Sequence, residues 1–151
     1  MLRSEFTEAL KTAMKAKDQI RLSTVRMVIA KLKERDIEAR GKGNAEGIPD
    51  PEIQQMLQGM VKQRRESIAL YEQGGRQELD DQERAEIAVI EGFLPKQMSD
   101  AELAAAVREA VAAAGASSVK DMGKVMALLK ERHAGQMDFA KASAVVKQQL
   151  G

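Results

Sequence analysis

Cysteine and tryptophan are both missing from this chain of 151 residues. Without cysteine there can be no disulfide, no thiolate metal ligand and no thiol nucleophile. No apolar run approaches the roughly 20 residues that a membrane-spanning helix needs, and the N-terminal residues lack the pattern of a secretory leader. We therefore expect a cytoplasmic protein that has no membrane partner.

Aromatic residues are scarce, at 3% of the sequence, although hydrophobic residues make up 44%. The core is then expected to consist of Leu, Ile, Val, Met and Ala. Strands are usually richer in β-branched and aromatic residues, whereas Ala, Leu and Met favour helices. Together with the nine methionines, this composition predicts a protein built from packed helices.

Apolar residues recur at helical spacing in seven segments, and none alternates as a strand would. The predicted helices cover approximately residues 2–16, 18–40, 50–73, 77–94, 99–114, 118–133 and 138–150. We predict an all-α fold, with an N-terminal four-helix bundle at residues 1–95 and a small C-terminal three-helix subdomain at residues 96–151. Residues 95–98 are the predicted hinge.

Capping residues mark several of these boundaries. Pro95 is expected to end the fourth helix, and Ser99 with Glu102 forms a capping box for the fifth. The sequence Ser118-x-x-Asp121 is a weaker variant of that box. Acidic N-caps are predicted at Asp18, Asp50 and Asp138.

The formal net charge is +1, but residues 1–48 carry +4, residues 49–97 carry −4 and residues 98–151 carry +1. Such asymmetry can orient a protein against a polyanion. On the second helix, basic residues form two rows that flank the apolar stripe. Such rows can contact phosphates; the alternative is a solvated helix face balanced by nearby acids. The first row is Lys17, Arg21, Lys31 and Arg35, and the second is Arg26, Lys33 and Arg40.

The third helix contains a basic cluster whose members face different ways. Lys62 and Arg65 point outward and are predicted contact residues. Arg64 falls on the apolar side, where an unpaired charge would cost several kcal/mol. We predict that it pairs with Glu83 or Glu86 inside the bundle.

In the C-terminal unit, Lys120 and Lys124 lie opposite the apolar stripe and are the best predicted contact residues there. Gly123 stands between them, although glycine within a helix costs about 1 kcal/mol relative to alanine. It could allow close approach of a ligand or tight packing of two helices. Of these, packing is the explanation we favour.

Other polar residues are interpreted as structural. The only histidine, His133, falls at a helix end, where it can interact with the helix dipole. Asp80 and Asp81 suit a solvated helix start better than acid–base chemistry, and Ser117 with Ser118 suits a helix cap better than a nucleophile. We therefore predict no catalytic residue, no metal site and no cofactor.

Four segments carry a resemblance to a known family. They are RLSTVRM at residues 21–27, KQRRESI at 62–68, ERAEIAVIEGFLPKQMS at 83–99 and GASSVKDMGKVM at 115–126. In these segments and their order the chain resembles the YqeY-like family. That family is related to the tail region of the B subunit of the aspartyl/glutamyl-tRNA amidotransferase, and similar modules occur in some glutaminyl-tRNA synthetases.

The resemblance implies a tRNA-associated binding module that grips structured RNA through basic helix faces and has no catalysis of its own. One alternative is a protein-interaction adaptor for translation enzymes. Another is an accessory to glutamine-dependent tRNA amidation, which would be a carbon–nitrogen ligase by association. The expected partners are tRNA and, in the alternatives, an aminoacyl-tRNA synthetase or an amidotransferase; the oligomeric state is left open.

Overall fold

The computed structural model describes residues 1–151 and contains seven α-helices, one short 3₁₀ turn and no strand. The predicted all-α class is therefore confirmed. None of the helices combines the length and the apolarity that crossing a membrane requires. The helices are α1 (Leu2–Ala16), α2 (Gln19–Gly41), α3 (Asp50–Gly74), α4 (Gln77–Glu91), α5 (Asp100–Ala114), α6 (Met122–Arg132) and α7 (Phe139–Leu150), and the 3₁₀ turn is Val119–Asp121.

The chain forms two compact units, Met1–Leu94 and Pro95–Gly151. In the first unit, α3 packs on α4, and α2 contacts α1 and α4. Its core is aliphatic apart from Phe6. In the second unit, α5, α6 and α7 contact one another. Its fully buried side chains, which have no exposed surface, are Val107, Val125, Leu129, Ala142 and Val146.

Helix α2 is buried over a wider arc than predicted, because it contacts α1, α3 and α4. Val28 has no exposed surface, yet at about 100° per residue it lies on the same side as Arg21 and Arg35. These two arginines therefore border a second buried position besides the predicted apolar stripe.

Three predicted N-caps are confirmed. The Asp18 carboxylate accepts a hydrogen bond from the N–H group three residues on, at 3.1 Å, and the Asp138 carboxylate accepts one at 2.9 Å. Ser99 and Glu102 form the reciprocal capping box. The short polar side chains satisfy N–H groups that have no partner within the helix.

Two other predicted caps are wrong. Helix α3 already includes Asp50, whose carboxylate accepts a hydrogen bond from the Leu2 N–H group at 3.4 Å. Ser118 makes no side-chain cap hydrogen bond. Instead, the Asp121 carboxylate turns toward the preceding residues, and its Oδ2 accepts a hydrogen bond from the Ser117 N–H group at 3.0 Å. A 3₁₀ turn therefore separates the two serines from α6.

Helix α4 ends at Glu91, before the position predicted from Pro95. Gly92 is a poor helix former, and the residue that precedes a proline disfavours helical geometry. Phe93 leaves the helix and meets Phe6 of α1 edge-on, with ring centroids 4.8 Å apart. The chain gains this aromatic contact by stopping the helix early.

The predicted hinge is partly anchored within the second unit. The Met98 N–H group donates to the Gln136 carbonyl at 2.8 Å, and Gln97 Nε2 donates to the Gly135 carbonyl at 2.6 Å. On the other side, Leu94 packs against the core of the first unit. Gln97 Nε2 also donates to the Pro95 carbonyl at 2.9 Å, so only Lys96 of the predicted hinge lies outside these contacts.

A buried carboxylate that was not predicted joins α1, α2 and the loop before α3. Asp36 Oδ1 accepts hydrogen bonds from Arg3 Nη2 at 2.6 Å and from the Ile48 N–H group at 2.9 Å. Gly47, with φ of +83°, passes so close that an added Cβ would lie 2.7 Å from Asp36 Cγ. The loop can take this path only with glycine there. An acid on the apolar arc of α2 was the sequence signal for this contact.

We expect Gly47→Ala to lower the free energy of unfolding by roughly 3 kcal/mol or more, because it combines backbone strain with displacement of the Asp36 carboxylate from its donors. Gly43→Ala is the matched control. Gly43 also has a positive φ, +96°, but no atom lies within 4 Å of an added Cβ, so the loss should be about 1–2 kcal/mol. Urea denaturation measures both, and equal losses would contradict the role given to Asp36.

Candidate nucleic-acid interface

Some basic residues have carboxylate partners and others do not. Arg64 belongs to the first group and is buried. Its side chain is 9% exposed. Nε donates to Glu86 Oε2 at 2.9 Å, Nη1 donates to the Met60 carbonyl at 3.4 Å, and Nη2 lies 3.9 Å from Met27 Sδ. Because a buried guanidinium needs such partners, Arg64 holds α3 against α4 and α2. Its hydrogen-bonding groups are therefore directed into the protein.

Glu83 is the second carboxylate beside Arg64, but it is held less well. Its Oε2 lies 3.9 Å from Arg64 Nε, and this buried atom accepts no hydrogen bond. Glu86 takes the short contact and also accepts from Gln82 at 3.2 Å. Burial raises the pKa of Glu83, the neighbouring charge of Glu86 raises it further, and Arg64 opposes both effects. Two carboxylates thus compete for one arginine.

Two further arginines are engaged on the exposed side of α3 and α4. Arg65 Nη2 lies 2.7 Å from Glu91 Oε1, so this predicted contact residue already has a partner. Arg84, which was not singled out, lies 2.8 Å from both Glu72 and Asp80. The hydrogen bond to Asp80 raises the pKa of Arg84, and Glu72 adds to the shift. The exposed pairs with Glu91 and Glu72 contribute little to stability individually, whereas Asp80 is buried and is not the solvated helix start that was predicted. All three carboxylates occupy the cations.

The predicted cations of the second helix do not form one surface. Lys17 lies outside α2 and is the C-cap of α1, with φ of 55°. Lys31 is half-buried and pairs with Glu34 at 3.4 Å. Arg26 lies on the opposite side of α2 from Arg35, because nine residues correspond to two and a half helical turns. The predicted cations that are exposed and form no salt bridge are Lys17, Arg21, Arg26, Lys33, Arg35, Lys62, Lys120 and Lys124.

The exposed face of α6 has open space where helix packing was expected. Gly123 is exposed, and an added Cβ would have no atom within 4 Å. The interpretation that Gly123 allows two helices to pack closely is therefore wrong. Lys120 and Lys124, both exposed, flank the bare backbone.

Lys130 extends the same face and was not among the predicted contact residues. It lies seven residues after Gly123, which is about two helical turns, and it is exposed, as is Ala127 between them. The seven-residue spacing was the signal that could have identified it. We call Lys120, Gly123, Lys124, Ala127 and Lys130 together the α6 basic face.

Polar groups at the two ends of α6 are engaged locally. At the start, the hydrogen bond from the Ser117 N–H group lowers the pKa of the Asp121 carboxyl group. At the end, His133 is the C-cap, and its Nδ1 lies 3.1 Å from Gln136 Oε1. The lysines of the α6 basic face, in contrast, make no salt bridge. The ends of α6 are thus stabilised from within the unit, whereas the lysines of its exposed face form no short ion pair. Acidic groups lie nearby, because the charge of Lys124 also lowers the pKa of Asp121 and the exposed Glu131 lies seven residues after Lys124 on the same face.

The chain matches the family model described as Yqey-like protein over residues 3–150. It belongs to the YqeY-like family. Similar proteins include the altered inheritance of mitochondria protein 41, a mitochondrial protein, of Lachancea thermotolerans, which is 31% identical over 85 residues. Its counterpart in Kluyveromyces lactis is 31% identical over 84 residues.

These alignments cover only part of each protein. The match to the Lachancea thermotolerans protein covers 56% of this chain and 43% of the relative, and the match to the Kluyveromyces lactis protein has the same coverage. The protein of the same name in Eremothecium gossypii is 32% identical over 85 residues, or 44% of its length. The chain thus spans less than half the length of these relatives.

Removing the charge at Glu83 and at Glu86 should have opposite effects on stability. Glu83→Gln is expected to raise the free energy of unfolding at pH 7, because it removes a poorly partnered carboxylate. Glu86→Gln is expected to lower it by roughly 3 kcal/mol, because it deprives a buried guanidinium of its hydrogen-bonded partner. Urea denaturation of the two variants beside the unmodified protein measures both changes. The same sign for both would contradict the division of roles.

The advantage of Glu83→Gln should disappear in acid. A raised pKa means that Glu83 binds its proton more readily in the folded protein than in the unfolded chain, so its unfavourable contribution is present at neutral pH. That contribution fades as the pH falls through the folded-state pKa. Denaturation at several pH values between about 7 and 4.5 follows the change. An advantage that grows on acidification would contradict the assignment.

Proposed function

We propose that this protein is a tRNA-associated binding module that holds structured RNA through exposed basic helix faces. The observation that supports this most is the α6 basic face, in which lysines without salt bridges surround a glycine that has open space around it. Each lysine that contacts a phosphate releases counterions, which drives association. The face is therefore suited to the backbone of a nucleic acid.

The open space at Gly123 has no explanation in the stability of the protein. Gly123 is the second residue of α6, where glycine costs less than the roughly 1 kcal/mol of a helix interior, and an added Cβ at this position would meet nothing. A ligand that approaches the helix backbone closely does explain it. A sugar–phosphate chain that crosses α6 at Gly123 would have lysines on both sides.

The exposure of the aromatic residues favours structured RNA over single strands. Phe6 is buried, and Tyr71, Phe93 and Phe139 are half-buried, so none of them offers an open face for stacking on bases. Single-strand binding proteins usually depend on such stacking, whereas folded RNA is recognised by shape and by backbone contacts. The α6 basic face provides backbone contacts.

The family relationship supports the same function. The resemblance to the tail region of the amidotransferase B subunit implies work with tRNA, and the names of the curated relatives refer to mitochondrial inheritance. We further propose that this chain acts in the cytoplasm with a synthetase or an amidotransferase as its protein partner. We also propose that residues 1–95 and 96–151 are separate domains.

Reversing two charges on the α6 basic face tests this function. We expect Lys120→Glu with Lys124→Glu to weaken tRNA binding at least tenfold, because two phosphate contacts become repulsive. The matched control is Lys15→Glu with Lys42→Glu, which reverses two exposed lysines of the first unit that form no salt bridge and should have a smaller effect. A gel-shift series with total tRNA at several salt concentrations measures both variants. Equal losses in the two would contradict specific use of α6.

Gly123→Ala should separate stability from binding. We expect the free energy of unfolding, and with it the melting temperature, to rise slightly, by roughly 0.5 kcal/mol or less at this second residue of α6, because alanine is the better helix former and nothing is displaced. At the same time tRNA affinity should fall, because the new methyl group holds the RNA backbone away from the helix. Thermal melting and gel shifts measure the two effects. A variant that is more stable and binds tRNA equally well would count against the close approach.

The adaptor function is the second candidate, because Val119 is 44% exposed next to the lysines and could be covered by an apolar partner residue. The two functions predict different results in cell extract. A tRNA-binding module should recover tRNA when the tagged protein is crosslinked and purified. Recovery of a synthetase after nuclease treatment, with no tRNA shift by the pure protein, would favour the adaptor.

A further inference from the structure

A groove of about 500 Å³ runs between α2 and α3 in the first unit. Its floor is apolar and consists of the buried side chains of Ile48, Met56 and Met60. Its rims are polar. They comprise Lys31 and Arg35 from α2, and Glu52, Gln55, Gly59 and Gln63 from α3.

Gly59 on the rim of this groove has the same surroundings as Gly123 in the other unit. It lies inside α3, is exposed, and would have no atom within 4 Å of an added Cβ. A glycine there makes α3 less stable than alanine would, and packing does not require it. The missing side chain leaves the backbone of α3 accessible from the groove.

The rim carries two cations, Lys31 and Arg35, and one carboxylate, Glu52, so an anion is expected to bind at the α2 side of the groove. Arg35 is exposed and forms no salt bridge. Lys31 forms a salt bridge with Glu34, with Nζ 3.4 Å from Oε2. Lys62, three residues after Gly59 and therefore adjacent on the helix surface, is also exposed without a salt bridge. The amide groups of the two glutamines on the rim can donate to phosphate oxygens, as such side chains do in nucleic-acid complexes.

We propose that the groove between α2 and α3 is a second contact for the sugar–phosphate backbone of RNA, with Arg35 as its main cation and Gly59 as the point of closest approach. This rests on the proposed function. The groove divides the predicted cations of α2 into those that contact RNA and those that do not. Arg35 and Lys31 contact the ligand, and Arg26 and Lys33, on the other side of the helix, do not.

The experiment compares two arginines of one helix in the full-length chain. Arg35→Gln removes the groove cation, whereas Arg26→Gln removes an exposed arginine on the opposite side and changes the net charge equally. At about 100 mM salt, we expect Arg35→Gln to weaken binding of total tRNA roughly 5- to 10-fold and to reduce the slope of log affinity against log salt by about 1. Arg26→Gln should leave both unchanged.

Two further measurements locate the contact. Gly59→Ala should raise the melting temperature by roughly 2–4 °C while it weakens tRNA binding, so that a loss of affinity cannot be attributed to misfolding. Methyl NMR of the methionines should show tRNA-induced shifts for Met56 and Met60 in the groove floor. The exposed Met27, near Arg64, should remain unshifted. Arg35→Gln should suppress the groove shifts.

The outcomes separate the two proposals. If Lys120→Glu with Lys124→Glu abolishes binding but Arg35→Gln does not weaken it, the groove proposal is overturned and the function stands. Equal losses from Arg35→Gln and Arg26→Gln, or groove methionines that tRNA leaves unshifted, also overturn it. No tRNA binding by the unmodified protein overturns both.

Discussion

The enclosed guanidinium of Arg64 determines how three helices of the first unit pack together. It lies where α2, α3 and α4 meet, and in a medium of low dielectric constant it is stable only with its partners in place. Its Nε donates a hydrogen bond to Glu86, and its Nη1 donates one to the Met60 carbonyl of its own helix. This contact fixes how α3 is rotated against α4. That rotation in turn places Arg65 next to Glu91 and leaves Lys62 exposed.

Helical periodicity was sufficient for much of this arrangement. The spacing of Leu, Ile, Val and Met located seven helices, and the short polar residues Asp18, Ser99 and Asp138 located three of their starts. The contact of Asp36 with Gly47 could not be derived in the same way. The acid lies on the apolar arc of α2 but was interpreted as part of a solvated face, and its donors come from α1 and from a loop. Neither has a fixed spacing from α2.

The charged residues of the candidate interface could be predicted from the sequence, but the empty space at Gly123 could not. The spacing of Lys120 and Lys124 predicted that both are exposed, and they are, although Lys120 lies in the 3₁₀ turn before α6. Whether Gly123 packs against another helix depends on which parts of the folded chain lie near it. Helical periodicity contains no information about such neighbours. The same limit applies to the row that contains Arg21 and Arg35, because periodicity did not show that a buried residue lies beside it. Val28 is buried because three other helices contact α2, and the spacing of residues within α2 does not predict how many helices contact it.

Lysines alone do not identify the ligand, because an RNA and an acidic protein would both be attracted to the α6 basic face. Their attractions differ in kind. RNA carries a condensed counterion layer along its backbone, and each displaced counterion adds to the salt dependence. The carboxylates of a folded protein form exposed pairs that contribute at most about 1 kcal/mol each. The gap in the side-chain layer at Gly123 is more selective than the charge, because only a ligand that reaches the helix backbone benefits from it.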